Sequence, residues 1–290
     1  MIESYRGQFP VTMMCRCLSL SRSGYYAWHK RPVSERAQRR ELVGLAVEAA
    51  YHDFKKRYGA PRLTVELNEG GIPCSVNHVA MLLKEKCLRA RNGKGFKYHP
   101  RTEARTNVSD NLLARRFSTC RPDAKWVTDI TYIRVSGQWL FLAAVLDLFS
   151  RKIIGWALDE HMRESLVLDA LDMAVANRSP DRRTDIHSDR GVQYRGNEYQ
   201  AALASRGLRC SMSRKGNCWD NAVMESFFSR LKVGLIYAEN YRTVDEARAG
   251  IFEYIEMFYN RQRRHSANGY VSPQVFEMQY QQSTVSTIRG

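Results

Sequence analysis

A chain of 290 residues with 44% apolar content has the length for about two domains and enough apolar side chains to give them cores, which excludes a disordered tail. Its formal charge of +15 is lopsided: residues 1–124 carry 23 Lys and Arg against 11 Asp and Glu, whereas residues 125–290 carry 22 against 19. Such a distribution suits a polyanion-gripping module attached to a catalytic one, because neutralising phosphates releases counterions; a merely soluble basic surface is the other reading.

Seven scattered cysteines, no cleavable apolar leader and no run near the ~20 apolar residues of a membrane span predict a reducing cytoplasm and no membrane. Residues 1–34 mix helix formers with a break at Ser19–Ser23 and the aromatic group Tyr25, Tyr26 and Trp28. From Ser34 to about Phe54, Leu42, Leu45, Ala46 and Ala49 recur at helical spacing. Pro61 then opens a helix through Leu63, Val65 and Leu67, Gly70-Gly71 stops it, and Ser75 caps a second helix with Val76, Val79, Leu82 and Leu83 on one face. Two short helices joined by a glycine turn in a basic context form a helix-turn-helix candidate; an ordinary helical hairpin gives the same pattern. Cys74 and Cys87 fall at apolar positions of this unit, so buried structural thiols are preferred to zinc ligands with His78. Arg89, Arg91, Lys94, Lys97, Arg101 and Arg105 then mark a polar, basic linker.

From Lys125 the texture becomes β. Trp126–Val135 alternates, Ser136-Gly137 signals a hairpin, and Trp139–Leu146 and Lys152–Leu158 follow as strands. A helix over Ser165–Ala176, a strand at Asp185–Ser188, a helix near Asn197–Ser205, a strand near Arg209–Ser213 and a helix from about Ala222 to Lys232 complete the order βββαβαβα. That order is an α/β, ribonuclease H-like mixed sheet flanked by helices. The expected division is a helical region at 1–100 with the helix-turn-helix-like unit at about 36–92, a basic linker at 101–122, a core at 123–235, and a helical extension at 236–290 entered through the capping box Thr243-x-x-Glu246.

Three acids stand out. Asp129 lies inside the first strand, where a charge needs a compensating cation, and Asp189 ends a strand at the edge where α/β sheets place ligands. Glu225 sits in the first turn of the last core helix, with Ser229 and Lys232 on the same edge at about 100° per residue. Three gathered carboxylates repel by about 4 kcal/mol per pair at ~4 Å in an effective dielectric near 20, so the cluster calls for cations. Two magnesium ions, with manganese able to substitute, suit these hard oxygens and phosphodiester chemistry. Taken singly, each acid has an innocent reading, as do Asp147 closing a turn, Asp220 capping a helix, and Asp169 and Asp172 on a polar helix face.

Trp126-Val127-Thr128-Asp129-Ile130-Thr131-Tyr132, Leu146-Asp147-Leu148-Phe149-Ser150-Arg151, His187-Ser188-Asp189-Arg190-Gly191, Ser213-Arg214-Lys215-Gly216-Asn217 and Asp220-Asn221-Ala222 leading to Glu225 resemble the OrfB-type transposases of bacterial insertion sequences. So do Tyr259-Asn260-Arg261, Arg264-His265-Ser266 and Ser272-Pro273, together with Ser21–Tyr26 and Tyr58–Arg62 nearer the start. The resemblance implies a retroviral-integrase-like catalytic core of the third insertion-sequence family and a DDE triad on Asp129, Asp189 and Glu225 as catalytic and metal-holding residues. It further implies that DNA ends are cut and joined by a magnesium-dependent polynucleotidyl transferase, with Lys232 as the basic residue seven positions after the glutamate. Lys232, Arg214, Lys215 and Asn217 are expected DNA contacts; for the last three a solvated loop is the alternative. The resemblance also implies a homo-oligomer on DNA and an upstream-frame, OrfA-type product that this chain is fused to or acts with. A DNA-binding repressor with an idle core and a stand-alone nuclease are the competing functions.

Overall fold

The computed structural model describes residues 1–91, 109–178, 180–181, 183–214 and 221–288. Lys94, Lys97, Arg101 and Arg105 of the expected linker lie outside the described residues, as do Lys215, Asn217 and Asp220. Hydroxyl caps start most of the early helices. Ser21 receives the Gly24 amide at the head of α2 (Arg22–His29), which follows α1 (Val11–Cys17). Ser34 does the same for α3 (Glu35–Asp53), and Ser75 for α5 (Val76–Glu85). Between them α4 (Ala60–Glu69) carries Pro61 in its first turn, and Gly71 turns the chain at φ 79°.

The face that α3 buries is not the expected one. Val43, Val47 and Tyr51 are buried, whereas Leu42 and Leu45 are 56% and 62% exposed. Both stripes have helical spacing; packing chooses between them, and beside Val43 the Gly44 position meets the Leu82 side chain of α5 and that of Lys86 just past its end. In α5 itself Val79, Leu82 and Leu83 face inward, but Val76 is exposed. Cys74 is partly buried, and Cys87, one step beyond the C-cap of α5, is exposed at φ 54°, so it is not the buried thiol expected.

β-Branched and aromatic residues form β1 (Lys125–Val135), and Ser136 and Gly137, at φ 47° and 88°, make the two-residue turn whose twist matches a hairpin. β2 (Gln138–Asp147) and β3 (Ile153–Asp159) follow antiparallel. After α6 (Glu164–Asn177), β4 (Asp185–Ser188) pairs parallel with β1; after α7 (Asn197–Ser205), β5 (Arg209–Met212) pairs parallel with β4. The sheet order β3-β2-β1-β4-β5, flanked by helices, is the ribonuclease H-like arrangement. Gly155 is where β3 and α6 touch: a Cβ there would overlap the Ala170 carbonyl oxygen and the Ala174 backbone.

Successive strand residues face opposite sides. Trp126, Ala143, Val145 and Ile154 pack on α6 and α7. Val127, Ile133, Leu140, Leu142 and Leu146 face the other way, into an apolar cluster shared with α8 (Ala222–Leu231), the C-terminal helices and α3–α5. The helical unit and the sheet therefore share one continuous apolar cluster. A π-helical turn at Lys232–Ile236 ends α8, and α9 (Val244–Phe252) opens with Thr243 accepting the Glu246 amide. That helix runs on as a π-helical segment, Glu253–Tyr259, before α10 (Pro273–Ile288). Asn260, between them, gives its side-chain carbonyl to the Ile153 amide and its amide to the Ile153 carbonyl, both at 2.9 Å, so it closes the edge strand β3 as a neighbouring strand would. Arg264 forks onto Glu66 and Glu69 of α4, at 2.6–2.9 Å, and clamps this segment to the helical unit. Among the described residues no helix is long and apolar enough to cross a membrane.

Candidate active site

The site assembles on the sheet face beneath α8. β1 and β4 run parallel with Lys125 beside Asp185 and Val127 beside His187, so Asp129 and Asp189 each follow two residues after the last paired position. Both acids are half-buried. Asp129 stands opposite Ala144 of β2, which is fully buried in the apolar cluster on that face. Asp189 folds its carboxylate back to accept the Gly191 amide at 2.8 Å, which fixes the turn out of β4. Beneath both lies Tyr194, wholly buried and bonded to the Thr128 hydroxyl at 3.2 Å. Burial first, and then the charges of Asp129 and Asp189, hold its phenol well above the ordinary range.

Glu225 comes from the helix. At the start of α8, Asn221 gives its side-chain amide to the Thr128 carbonyl at 3.4 Å, next to Asp129; it occupies the N-cap position without capping through its side chain. Just past the end of α8 the buried ammonium of Lys232 lies within electrostatic reach of Asp129; burial lowers its pKa and Asp129 opposes that. The start of the helix is thus tied to the backbone beside Asp129 and its end comes within electrostatic reach of that acid, and Glu225 occupies the edge that carries Lys232. Its carboxyl is exposed, and partial desolvation still raises its pKa. Met224, Phe227, Phe228 and Leu231 anchor the buried side.

The structure therefore places Asp129 inside β1 and Asp189 one residue past the end of the neighbouring strand β4, with Glu225 on α8, the helix that packs on β1. Among the described residues, no three His, Cys, Asp or Glu side chains converge closely enough to hold a metal ion. The donor chemistry, carboxylate oxygens alone at a half-buried strand edge, fits a hard divalent cation. Arg214 is exposed just beyond β5, whose Ser213 amide bonds the Ser188 carbonyl, so it stands at the edge where Asp189 leaves the sheet. Lys215 and Asn217 lie outside the described residues.

Sequence reasoning missed Tyr194, whose one signal was an aromatic residue in a loop with no periodicity of its own. It also left His187 without partners; the ring bridges Ser211 and Ser213 at 2.8 and 3.1 Å and stitches β4 to β5. Asp147 does close a turn, as expected, by accepting the Phe149 and Asp123 amides, but it is fully buried, and desolvation pushes its pKa up to about 7.

Two models described as integrase core domain match residues 120–218 and 206–273, and one described as HTH-like domain matches residues 37–95. The transposase InsF for insertion sequence IS3A of Escherichia coli (strain K12) is 45% identical over 278 residues, covering 95% of this chain and 96% of that one. The insertion element IS600 uncharacterized 31 kDa protein of Shigella sonnei is 40% identical over 269 residues, 93% and 99% of the two chains. Among solved structures, a chain of the simian T-cell lymphotropic virus intasome with PP2A regulatory subunit B56 gamma matches 79% of this chain and 73% of its own at 19% identity, TM-score 0.46. The HTLV-2 integrase catalytic core domain in complex with magnesium matches 54% and 97% at 14% identity, TM-score 0.43. An identity of 45% along nearly the full length of both chains, with integrase-core and helix-turn-helix-like matches at the places where sheet and helices lie, makes this chain a member of the insertion-sequence transposase family that includes InsF.

Proposed function

We propose that this transposase cuts and joins DNA strands at the ends of an insertion sequence through Asp129, Asp189 and Glu225, acting as a triad that holds two divalent cations. The supporting observation is the placing of α8 around Glu225: Asn221 at its start bonds the backbone carbonyl just before Asp129, and the Lys232 ammonium just past its end lies within electrostatic reach of Asp129. Bound there, magnesium, or manganese in its place, supplies an acidified water or DNA 3′-hydroxyl and neutralises the leaving 3′-oxygen. The chain's part is to hold that chemistry in place. Asp129 and Asp189 provide the fixed side of the site, oriented by the β1–β4 pairing and by the Gly191 amide. Glu225 provides the side on the helix. Lys232 and Arg214, with Lys215 and Asn217, hold the phosphates of the strand being cut. The same reading has the protein acting as an oligomer on paired DNA ends in the bacterial cytoplasm, at the nucleoid, and drawing end-specific binding from an upstream-frame product.

End-labelled DNA carrying a terminal repeat, incubated with magnesium and either this chain or its fusion to the upstream-frame product, tests the reading. Nicked and then joined strands are expected. Replacing Asp129 or Asp189 by Asn, or Glu225 by Gln, is expected to lower both products at least about a thousandfold, the scale of losing several kcal/mol of charge stabilisation, while the melting temperature stays within a few degrees. Undiminished joining by any of the three would remove that residue from the triad. Hydrolysis without joining would make the protein a nuclease.

A further inference from the structure

On the other side of α8 lies a cavity of about 310 Å³ that the triad does not use. Arg62 of α4, Arg151 of the β2–β3 turn, Arg230 of α8 and Arg263 of the C-terminal segment all line it, with Ser226 and His265. Around the helix Ser226 stands about 100° and Arg230 about 140° from Glu225, so the cavity and the triad edge share one rigid element.

This cavity is built for an anion. None of the four arginines makes an ion pair among the described residues, and no described carboxylate lines the cavity. Asp147, behind the turn, is the one carboxylate that acts on Arg151. Arg263 is buried and spends a hydrogen bond on the His265 ring at 2.6 Å, which leaves the other donors of its guanidinium for a ligand. The Nη1 of Arg151 is buried with no acceptor, although its Nη2 donates to the Phe117 carbonyl. Arg230 is exposed at the mouth. Burial and the charge of Arg263 both lower the Arg62 pKa, the mark of cations crowded without counterions. Planar guanidinium forks match phosphate oxygens, and a volume about ten times the ~30 Å³ of one liquid water leaves room for the sugars beside a phosphate.

We propose that this pocket seats one backbone phosphate of the DNA on which the enzyme acts, at a fixed offset around α8 from the reacting bond. The proposal rests on the transposase reading for the identity of its ligand, DNA, and its test separates the two. Binding of a fluorescent terminal-repeat duplex is measured by anisotropy over a series of salt concentrations, for the full chain and for Arg230→Gln, Arg263→Gln and Arg163→Gln. Arg163, exposed at the head of α6 on the opposite side of the sheet, is the control. Arg230→Gln and Arg263→Gln are expected to weaken binding roughly tenfold and to reduce the slope of log affinity against log salt by about one; Arg163→Gln changes neither. Arg230 makes no hydrogen bond among the described residues, so its variant decides the matter even where Arg263→Gln unfolds. Inorganic phosphate, against chloride at equal ionic strength, is expected to raise the melting temperature of the parent protein more than that of Arg230→Gln. Unchanged affinity and slope in Arg230→Gln, in a protein that still joins ends, overturn the phosphate seat and leave the transposase reading intact. Stabilisation by phosphate with DNA affinity unaltered also overturns it, in favour of a small-anion site. Failure of the parent chain and its upstream-frame fusion to bind DNA overturns both readings.

Discussion

His265 shows how a single residue carries the electrostatics of its surroundings. Burial, and then the charges of Arg263, Arg62 and Arg151, bring its pKa from 6.5 down to about 2, so the folded protein keeps the ring neutral while the unfolded chain protonates it. The sign follows directly: the stability that neutral His265 confers is present above about pH 6.5 and is lost as pH falls toward about 2. His265→Gln keeps an acceptor for the Arg263 guanidinium and removes the titration. Its unfolding free energy is expected to fall less steeply than that of the parent between pH 7 and pH 4, by up to about 1.4 kcal/mol per pH unit. Parallel curves in thermal melts across that range would contradict the assignment. None of this was legible at position 265, because two of the three charged groups that set it, Arg62 and Arg151, come from sequence-distant segments, and only topology brings them to it. The same is true of Tyr194, whose neighbours Asp129 and Asp189 meet only through the β1–β4 pairing.

Among the elements, what local chemistry dictates was readable and what packing decides was not. The β1–β2 hairpin follows from alternation and a Ser-Gly pair that tolerates positive φ, and α5 from a serine cap; both form as expected. The inward face of α3 was misjudged because two stripes had the right period and the contact with α5 selected one. Close contacts of this kind make sharp tests. Gly155→Ala puts a methyl group into the backbone of α6, and is expected to destabilise by about 1–3 kcal/mol or more, since neither partner is a flexible side-chain end. Asn260→Ala leaves the Ile153 amide and carbonyl buried without their partner, at a cost of about 2–4 kcal/mol. Urea titrations of both variants check these values. A change under about 0.5 kcal/mol in Asn260→Ala would mean that the edge of β3 is held by something else, and one as small in Gly155→Ala that β3 and α6 are free to move apart.

At the scale of the whole molecule, a single apolar cluster runs from α3–α5 through the sheet to the C-terminal helices, with Ala247, Ile251, Tyr254, Ile255 and Phe258 supplying its far side. Arg264 reinforces the connection through Glu66 and Glu69. A chain ended after Tyr237 is therefore expected to lose cooperative unfolding and to aggregate rather than to yield a folded core, which calorimetry and size-exclusion chromatography would show; a monomeric species with a sharp transition would contradict it. The order βββαβαβα was legible because it rests on local pattern. The fastening of α8 over Asp129 was not, since Asn221 and Thr128 are far apart in the chain and meet through the folded topology alone.

The most direct measurement is strand joining by the Glu225→Gln variant on end-labelled terminal-repeat DNA, in magnesium and in chelator, beside a binding measurement on the same DNA. Binding equal to the parent with no nicked or joined product, and no product from the parent in chelator, is the outcome predicted. Products from Glu225→Gln at the parent's level, or from the parent without a divalent cation, would contradict it.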